Sequence, residues 1–433
     1  GNAFLDALRR VIVSQINMII IQGLFGLFAI LLIAYAFSEA RKAILFKPLI
    51  IAIFIHVILA IIFLKLPFFK EFFLLLNELV RALETATTTG TTFVFGYLGG
   101  GEAPFEIEMG KEGQMFLLAF KALPLVLVMS ALSYILYYYR VLPAIVKSFS
   151  YLLQKTLNVS GSVGLSVAAN AFIGMVESPL LIRPYLKNMT RGEIFSVMVA
   201  GMSTIAGSVM ILYANILSTR VPDAMGHILT ASVLNVISTL IISMLMIPHQ
   251  NDLQTEKIKL PKMADSAMDA IVKGTSDGVK LLINIIAMLI VLVALVSLIN
   301  QGLHFLPEFN NQPITLQRIL GVIMAPLTFF IGIPYSEILT TGSLMGTKVV
   351  LNELIAYIDL LNLPPEALQD RSKIIMIYAM CGFANIGSLG IMIGGMTAMS
   401  PEKRDEIISL GVKSVFAGVL ATCFTAAVVG LII

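Results

Sequence analysis

The chain has 433 residues, of which 58% are hydrophobic and 13% charged, and its formal net charge is +3. A soluble globular protein is nearer half apolar and a quarter charged, so this chain is expected to face lipid, and its small charge predicts no nucleic-acid partner. Two distant cysteines, Cys381 and Cys423, and four scattered histidines argue against a disulfide framework and against a Cys or His metal site.

The first third of the chain predicts membrane helices around a polar segment. Residues 19–35 and 49–64 are apolar runs long enough to span a bilayer. Residues 68–83 mix aromatic and charged side chains, which favours a helix lying at the membrane interface. Residues 85–113 are rich in Thr and Gly and are expected outside the bilayer, together with Glu102, Glu106 and Glu108. Residues 116–139 predict a third span.

The rest of the chain alternates apolar spans with two segments that are too polar to span. Residues 160–184 and 319–344 predict re-entrant hairpins, which are tolerated where protein or water covers their backbone. The remaining predicted spans are residues 194–216, 228–247, 281–299, 374–395 and 412–432. The expected fold class is therefore an all-α polytopic membrane protein with about eight transmembrane helices and two re-entrant hairpins.

Basic residues set the expected orientation. Under this topology the Lys and Arg residues of five loops fall on one side, at 41–47, 140–155, 183–191, 257–262 and 403–404. That side is assigned to the cytoplasm, so both termini face outward despite Arg9 and Arg10. An odd number of crossings separates the two hairpins, which makes the repeats inverted and predicts alternating access. The predicted domains are N-terminal scaffold helices with the interfacial helix at 1–113, a first transport repeat at 114–250 and a second at 251–433.

Two stretches with similar lettering carry carboxylates. Phe172-Ile173-Gly174 precedes Glu177, and Phe330-Ile331-Gly332 precedes Glu337. A carboxylate inside a membrane normally pairs, binds a ligand or lines water, so a structural pair at a helix end is the alternative to ligand contact. Their placement in corresponding broken segments favours ligand contact. Glu353 and Asp359 lie near a predicted boundary and are expected to be solvated.

Polar residues in two broken spans are further candidates. Asn385 and Ser388 are three residues apart and face one side of a helix; hydrogen bonding between helices is the alternative. Cys381-Gly382 predicts local unwinding, which frees backbone groups for ligands. Asn170 and Thr204 form an amide and hydroxyl pair, which alone is a weak signal because a cation site needs several oxygens.

Taken together, these motifs resemble the concentrative nucleoside transporter family over nearly the whole chain. The matching stretches are Ala169-Asn170-Ala171-Phe172-Ile173-Gly174 with Glu177 and Pro179, Gly332-Ile333-Pro334 with Glu337, Asn352-Glu353, and Cys381-Gly382-Phe383-Ala384-Asn385 with Ser388. The resemblance implies a cation-coupled nucleoside symporter that forms a homotrimer, with a scaffold and a transport core, in which each protomer carries its own site.

The resemblance also implies roles for individual residues. Glu337, Asn385 and Ser388 would hold the ribose hydroxyls, and Phe383 and Val209 would wall the pocket. A sodium site would use the side chains of Asn170 and Thr204 and the carbonyls of Ile173 and Ile205.

The first hairpin departs from the family pattern. The family usually has Gly-Gln-Thr-Glu-Ala-Pro, and this chain has Gly174-Met175-Val176-Glu177-Ser178-Pro179. Met175 and Val176 lack the hydrogen-bonding groups of Gln and Thr, and the second hairpin has Tyr335-Ser336 where the family often has Trp-Asn. The base-reading half of the site, formed by Met175, Val176 and Glu177, is thus expected to be altered, which leaves the substrate open.

The functional hypothesis is a bacterial inner-membrane importer of a nucleoside or a ribose-bearing relative, coupled to sodium. Proton coupling through Glu177 or Glu337 is an alternative, as is proton-coupled transport of a non-nucleoside substrate. A ligand-binding sensor or passive channel on the same fold is the rival from another class. An enzyme is not expected, because no Ser-His or Cys-His arrangement and no metal-ligand cluster accompanies the carboxylates.

Overall fold

The computed structural model describes residues 2–107, 116–249 and 260–433, with side chains from residue 17 onward. These ranges are almost entirely helical, and they contain no β-strand beyond one isolated bridge between Phe309 and Gln312. The α-helices are α1 Asn2–Ala36, α2 Phe46–Lys65, α3 Pro67–Phe95, α4 Leu118–Lys121, α5 Leu125–Tyr138, α6 Val141–Leu157, α7 Gly161–Ala169, α8 Glu177–Leu180, α9 Arg191–Ser203, α10 Gly207–Leu217, α11 Ala224–Met246, α12 Ala267–Leu303, α13 Leu316–Phe330, α14 Ile338–Val350, α15 Glu353–Asn362, α16 Asp370–Met380, α17 Ile386–Met399 and α18 Arg404–Ile432.

Seven helical segments of the described chain are long and apolar enough to cross a membrane. They are Asn17–Ala36, Phe46–Lys65, Leu118–Tyr138, Arg191–Leu217, Ala224–Met246, Ala267–Leu303 and Pro401–Ile432. Each contains or overlaps one of the predicted spans, so the all-helical polytopic class is confirmed. The eighth predicted span, residues 374–395, is instead divided between α16 and α17, because the chain leaves the helix between Cys381 and Asn385.

The helix α3 is longer than the sequence analysis predicted. The prediction ended this helix at residue 83 and placed the following Thr-rich segment outside the bilayer, but α3 continues through part of that segment to Phe95. The hydroxyls of Thr85, Thr87 and Thr88 donate to the carbonyls four residues earlier, at 2.9, 2.7 and 2.9 Å. Because each hydroxyl is satisfied inside its own helix, a run of threonines can extend α3 without polar partners from elsewhere.

Burial separates a central group of helices from a peripheral one. About nine-tenths of the spanning segment formed by α9 and α10 is buried, and α11 and α18 are each 83% buried over theirs. The peripheral helices α1 and α2 are each 22% buried and α12 only 6%. The outer faces of α1, α2 and α12 are apolar and exposed, as surfaces that meet lipid or another subunit are.

One end of the molecule is held together by charged and backbone contacts. Glu39, which follows α1, accepts from Arg191 at the start of α9 and from Lys413 in α18, at 2.9 and 2.7 Å. Its backbone N–H also donates to Met246 O at the end of α11. These helix ends lie together, as the predicted topology requires for basic residues on one side of the membrane.

Some predictions fall on residues outside the described ranges. They are the placement of Glu108, the basic residues Lys257 and Lys259, the side chains of Arg9 and Arg10, and the domain boundaries at 113/114 and 250/251. Glu102 and Glu106 are described and are exposed, and their placement outside the bilayer remains a prediction. The division into three domains remains a prediction.

Candidate functional site

A cavity of about 470 Å³ opens between the helices, which is within the range of ordinary small-molecule sites. It is lined by residues of α5, α10 and α12, by the turn before α8, by the start of α15 and by the break between α16 and α17. Seven of the eight residues predicted to bind substrate line this cavity: Met175, Val176, Glu177, Val209, Phe383, Asn385 and Ser388. The eighth, Glu337, does not.

The segment between α7 and α8 is a chain reversal, here called the first reversal (residues 170–176). Ser160 caps the N-terminus of α7 by accepting from Val163 N, as Ser commonly does at this position. The two arms are joined where Ser178 Oγ donates to Ser166 O at 2.5 Å. All residues from Phe172 to Glu177 line the cavity, so the tip of this reversal is open to a ligand.

The two residues that depart from the family pattern rest against glycines. A Cβ at Gly201 in α9 would lie 2.9 Å from Met175 Cβ, and one at Gly395 in α17 would lie 2.9 Å from Val176 Cγ1. Both distances are too short for a larger residue at the glycine positions. Met175 and Val176 are therefore packed closely against α9 and α17, and they also form an apolar part of the cavity wall.

Glu177 bends back over the first reversal. A Cβ at Gly174 would clash with Glu177 Oε2, so a larger residue would require the carboxylate to move away from this position. The Glu177 side chain is otherwise exposed to the cavity. It is thus available to accept from an N–H or O–H of a ligand.

Both predicted broken spans are broken in the structure. The first break separates α9 from α10, and its residues Thr204 and Ala206 have extended backbone conformations. The second break separates α16 from α17, as the Cys381-Gly382 pair predicted. Val209 lies just after the first break, and Phe383 lies within the second; both line the cavity.

Asn385 and Ser388 are close for a more specific reason than their shared face. Asn385 caps α17, because its Oδ1 accepts from Ser388 N at 2.7 Å. The cap uses the amide oxygen and leaves the amide nitrogen available. That nitrogen donates to Glu353 Oε2 at 3.1 Å.

The expectation that Glu353 is solvated is wrong. Glu353 is only 4% exposed and lines the cavity, and its other oxygen accepts from the hydroxyl of Tyr213 at 2.5 Å. The predicted helix boundary at this position is real, since Asn352 caps α15 by accepting from Ile355 N. The boundary lies inside the protein, however, because the chain reverses at residues 351–352, here called the second reversal.

Glu337 has a different environment. It is 7% exposed, and its Oε1 accepts from Gln369 N at 2.9 Å. It follows a turn between α13 and α14 whose residues do not line the cavity. The predicted reversal of the chain within 319–344 is therefore present, but it does not carry its carboxylate into the cavity.

Element order explains why Glu353 rather than Glu337 corresponds to Glu177. After α5 come α6, α7, the first reversal, α8, a 3₁₀ helix, the broken pair α9 and α10, and α11. After α12 come α13, α14, the second reversal, α15, a 3₁₀ helix, the broken pair α16 and α17, and α18. Glu177 and Glu353 each begin the helix after a reversal. The sequence similarity had paired two segments that occupy different places in the two halves. Phe172-Ile173-Gly174 lies between α7 and α8, whereas Phe330-Ile331-Gly332 lies at the turn between α13 and α14.

The residues predicted to bind a cation lie within the first reversal and the first break. Asn170 and Thr204 are buried, Asn170 Nδ2 donates to Ser166 O, and Thr204 Oγ1 donates to Ala200 O at 2.7 Å. Asn170 Oδ1 has no hydrogen-bond partner within the described residues. The carbonyls of Ile173 and Ile205 likewise accept no hydrogen bond from the part of the chain that is described. An all-oxygen set of this kind suits a hard cation.

The opposite wall carries polar groups that the sequence analysis missed. The Tyr134 hydroxyl in α5 donates to Asp277 in α12, and Lys280 pairs with the other oxygen of Asp277 at 3.1 Å. All three residues line the cavity. The available signal was an acid and a base three residues apart just before an apolar run, where they face the same side of a helix.

Lys348 is a second missed residue. It lies in the last turn of α14 and is fully buried, and its Nζ has no hydrogen-bond acceptor among the described residues. A cation is favoured at the C-terminus of a helix, and the buried carboxylate of Glu353 follows five residues later. Within the described residues there is no group of three or more His, Cys, Asp and Glu side chains that could hold a metal ion.

Three family profiles match successive parts of the chain. Residues 25–98 match the Na+ dependent nucleoside transporter N-terminus, residues 119–220 a nucleoside recognition (gate) domain, and residues 227–430 the Na+ dependent nucleoside transporter C-terminus. An uncharacterized transporter of Haemophilus influenzae is 35% identical, over 96% of this chain and 98% of its own length. Nucleoside permease NupC of Helicobacter pylori is 32% identical, over 94% of this chain and 96% of its own.

Human and solved relatives extend the comparison. Human solute carrier family 28 member 3 is 32% identical over 94% of this chain and 59% of its own length. The structure of CNTnw in an inward-facing substrate-bound state is 33% identical, with a TM-score of 0.86 over 96% of this chain and 98% of that one. A variant of CNTnw in an outward-facing state gives a TM-score of 0.88 at 32% identity, over 96% of this chain and 98% of that one.

Proposed function

The chain belongs to the Na+ dependent, concentrative nucleoside transporter family, and we propose that it imports a ribose-bearing nucleoside or nucleoside-like compound together with sodium. It is an integral membrane transporter and not an enzyme. The proposed mechanism is alternating access, in which the core that carries the cavity moves against a scaffold.

The observation that carries this proposal is the setting of Glu353. Its two oxygens accept from Tyr213 and Asn385 at the cavity wall, and each carboxylate oxygen keeps a further lone pair for a ligand. Asn385 and Ser388 lie beside it. A vicinal diol offers two hydroxyl donors, and the charge-assisted bonds it would make to Glu353 are about twice as strong as neutral ones.

The base is proposed to lie against the first reversal. Met175 and Val176 present apolar surface there, while Glu177 offers an acceptor and Phe383 and Val209 add further apolar contact. A base with a small or partly masked polar edge fits this wall better than uracil, because a buried polar group without a partner is costly.

Sodium is proposed to bind at the side chains of Asn170 and Thr204 and the carbonyls of Ile173 and Ile205. The support is the buried, unpartnered Oδ1 of Asn170 within the described chain and the backbone left open by the first break. Proton coupling is the alternative, since Glu177 is an exposed carboxylate in the cavity.

We further propose that the protein is a homotrimer in a bacterial plasma membrane. The support is α12, a 37-residue helix whose apolar outer face is exposed in one chain and could pack against another subunit. Native mass measurement in detergent, with cross-linking in membranes, tests this stoichiometry.

Uptake into proteoliposomes tests the function. A panel of labelled purine, pyrimidine and modified nucleosides would be offered with sodium or with choline outside, at fixed pH. Accumulation above the external concentration in sodium, and none in choline, is expected for at least one nucleoside. Uptake that only reaches equilibrium would favour a channel, uptake equal in choline would favour protons, and binding without transport would favour a sensor.

A further inference from the structure

The two helix breaks cross in direct contact at the centre of the protein. Phe383 N in the second break donates to Thr204 O in the first at 3.2 Å. A Cβ at Gly382 would lie 2.9 Å from Ser203 O, so a larger residue there would force the breaks apart. Gly418 lets α18 pack closely against the end of α9, since a Cβ added at this glycine would lie 2.6 Å from Met202 Cβ.

One buried side chain holds both breaks. Asn235 lies in α11 and is fully buried, and its Nδ2 donates to Ser203 O at 2.8 Å and to Cys381 O at 2.9 Å. Ser203 ends α9, and Cys381 immediately follows α16. Carbonyls at helix C-termini lack partners within their own helix, and here the two protons of a single amide satisfy one from each break.

We propose that Asn235 is a positioning residue that couples the cation site to the nucleoside site. The inference rests on the proposed function, because it takes Thr204 and Ile205 as cation ligands and Phe383 and Asn385 as substrate contacts. Thr204 is the residue after Ser203, and Phe383 is two residues after Cys381. A cation that orders the first break thereby orders the second through the amide of Asn235 and the bond from Phe383 N to Thr204 O.

The residue type matches this role. Asn supplies two N–H donors on one nitrogen, whereas a carboxylate supplies only acceptors. Asp at this position would place oxygens against two carbonyl oxygens, and Ala would leave both carbonyls without a donor. If Asn235 served stability alone, either substitution would weaken the fold by the same amount with and without sodium.

Cys381 provides a reporter that needs no substrate. Its thiol is fully buried at the second break, so its modification by N-ethylmaleimide measures opening of that break. Cys423, the other cysteine, would be replaced by Ala. Purified protein would be labelled in sodium chloride and in choline chloride at equal ionic strength, and its thermal unfolding would be measured in both salts.

Sodium is expected to slow the modification of Cys381 at least about fivefold in the Cys423→Ala protein, the lower end of typical coupling. In the same parent protein, Asn235→Ala and Asn235→Asp should lower the ratio of the Cys381 modification rates in choline and in sodium to below about twofold. Sodium should still raise the unfolding temperature of both variants. Ser243→Ala is the matched control. Ser243 is buried on α11 and accepts from Ser196, but it contacts neither break, so its ratio should equal that of the parent.

The outcomes separate the inference from the function on which it rests. A parent protein that sodium does not stabilise against unfolding would overturn the sodium site and the inference with it. If sodium stabilises the parent but leaves Cys381 labelling unchanged, or if the Asn235 variants keep the full sodium response, the sodium site stands and the coupling role of Asn235 is overturned. If Asn235→Ala does not fold, Asn235→Ser, which keeps one hydroxyl donor, is expected to show an intermediate ratio, and a full ratio there overturns the inference.

Discussion

The two reversals occupy corresponding places in the two halves of the chain, but they present different chemistry. The first reversal opens a long tip to the cavity, where Met175 and Val176 supply apolar surface and Glu177 bends back over Gly174. The second reversal is two residues long and places Glu353 between Tyr213 and Asn385. The comparison shows that a carboxylate at the start of the helix after a reversal reaches the cavity in both halves. The side chains around each carboxylate then determine what it can bind.

The turn between α13 and α14 differs from the first reversal, because its backbone carbonyls already have hydrogen-bond partners. Gln22 of α1 donates to Phe329 O and Ile333 O at 2.9 and 2.8 Å, and Arg371 of α16 donates to Gly332 O at 2.8 Å. Gly332 has a φ of +96°, which glycine adopts readily. Because other helices already satisfy these carbonyls, this turn has little backbone to offer a ligand, although its lettering resembles the first reversal.

The largest expected effect is a loss of nucleoside affinity in Glu353→Gln, with Glu337→Gln as the comparison. Glu353→Gln removes the charge that would accept two hydroxyls, and hydrogen bonds to charged groups are worth about 1.5–3 kcal/mol each. Nucleoside binding should weaken at least about a hundredfold, since each 1.4 kcal/mol is tenfold. Glu337→Gln keeps an oxygen to accept from Gln369 N and should bind within about twofold of the parent, a difference of a few tenths of a kcal/mol.

Calorimetric titration with a nucleoside that the parent transports would measure both variants. Thermal unfolding without ligand controls for loss of the fold, since both carboxylates are buried. Equal losses of affinity would mean that the turn after α13 contributes to the site, and that the assignment of Glu353 as the counterpart of Glu177 does not extend to function.

The second expected effect concerns the first reversal. Met175→Gln combined with Val176→Thr should raise uridine affinity about tenfold to a hundredfold, because one or two buried polar groups of the base, at about 1–3 kcal/mol each, would gain partners. Thr has the shape of Val and Gln the unbranched length of Met, so the contacts with Gly201 and Gly395 should survive. Low-micromolar uridine binding by the parent, with no gain in the double variant, would show that the base is read elsewhere.

The third prediction compares an asparagine at each reversal. Asn170 has a buried amide oxygen without a partner in the described chain, whereas the amide oxygen of Asn352 caps α15. Asn170→Ala should raise the sodium concentration for half-maximal uptake about tenfold, the effect of losing a ligand worth about 1.4 kcal/mol. Asn352→Ala should leave that concentration unchanged and lower stability by about 1 kcal/mol.

Uptake at graded sodium, with thermal unfolding of each variant, measures both effects. Asn352→Ser is the control, since Ser also caps helices well and should restore stability. A sodium requirement that rises in Asn352→Ala but not in Asn170→Ala would reverse the assignment of the two asparagines.

Much of the membrane architecture could be predicted because apolar length is a strong local signal. Seven spans and both broken segments follow from runs of apolar residues and from glycine. Asn352-Glu353 is among the stretches shared with the family, but the residues themselves indicate only an ordinary helix boundary. Only packing shows that Glu353 follows a turn inside the protein and is buried there. The two hydrogen bonds from Asn235 to the helix breaks could not be predicted either, since a single Asn in an apolar helix does not indicate which carbonyls it will meet.

The smallest expected effect lies outside both reversals, at Glu39. Hydrogen bonds from Arg191, with Lys413 adding to them, lower the pKa of Glu39 from its usual 4.5 to about 2. A carboxyl with a lowered folded-state pKa stabilises the fold above pH 4.5 and loses that contribution as the pH falls towards 2. The side chains are about one-third exposed, so solvent screening should limit the stabilisation to about 1 kcal/mol or less.

Glu39→Gln should therefore lower the unfolding temperature slightly at pH 7, and the difference from the parent should shrink as the pH falls from 4.5 to 3. Because this contact joins the entry of α9 to α18, away from the cavity, nucleoside affinity should not change. A difference in unfolding temperature that persists unchanged at pH 3 would mean that the Glu39 side chain acts through packing and not through its charge.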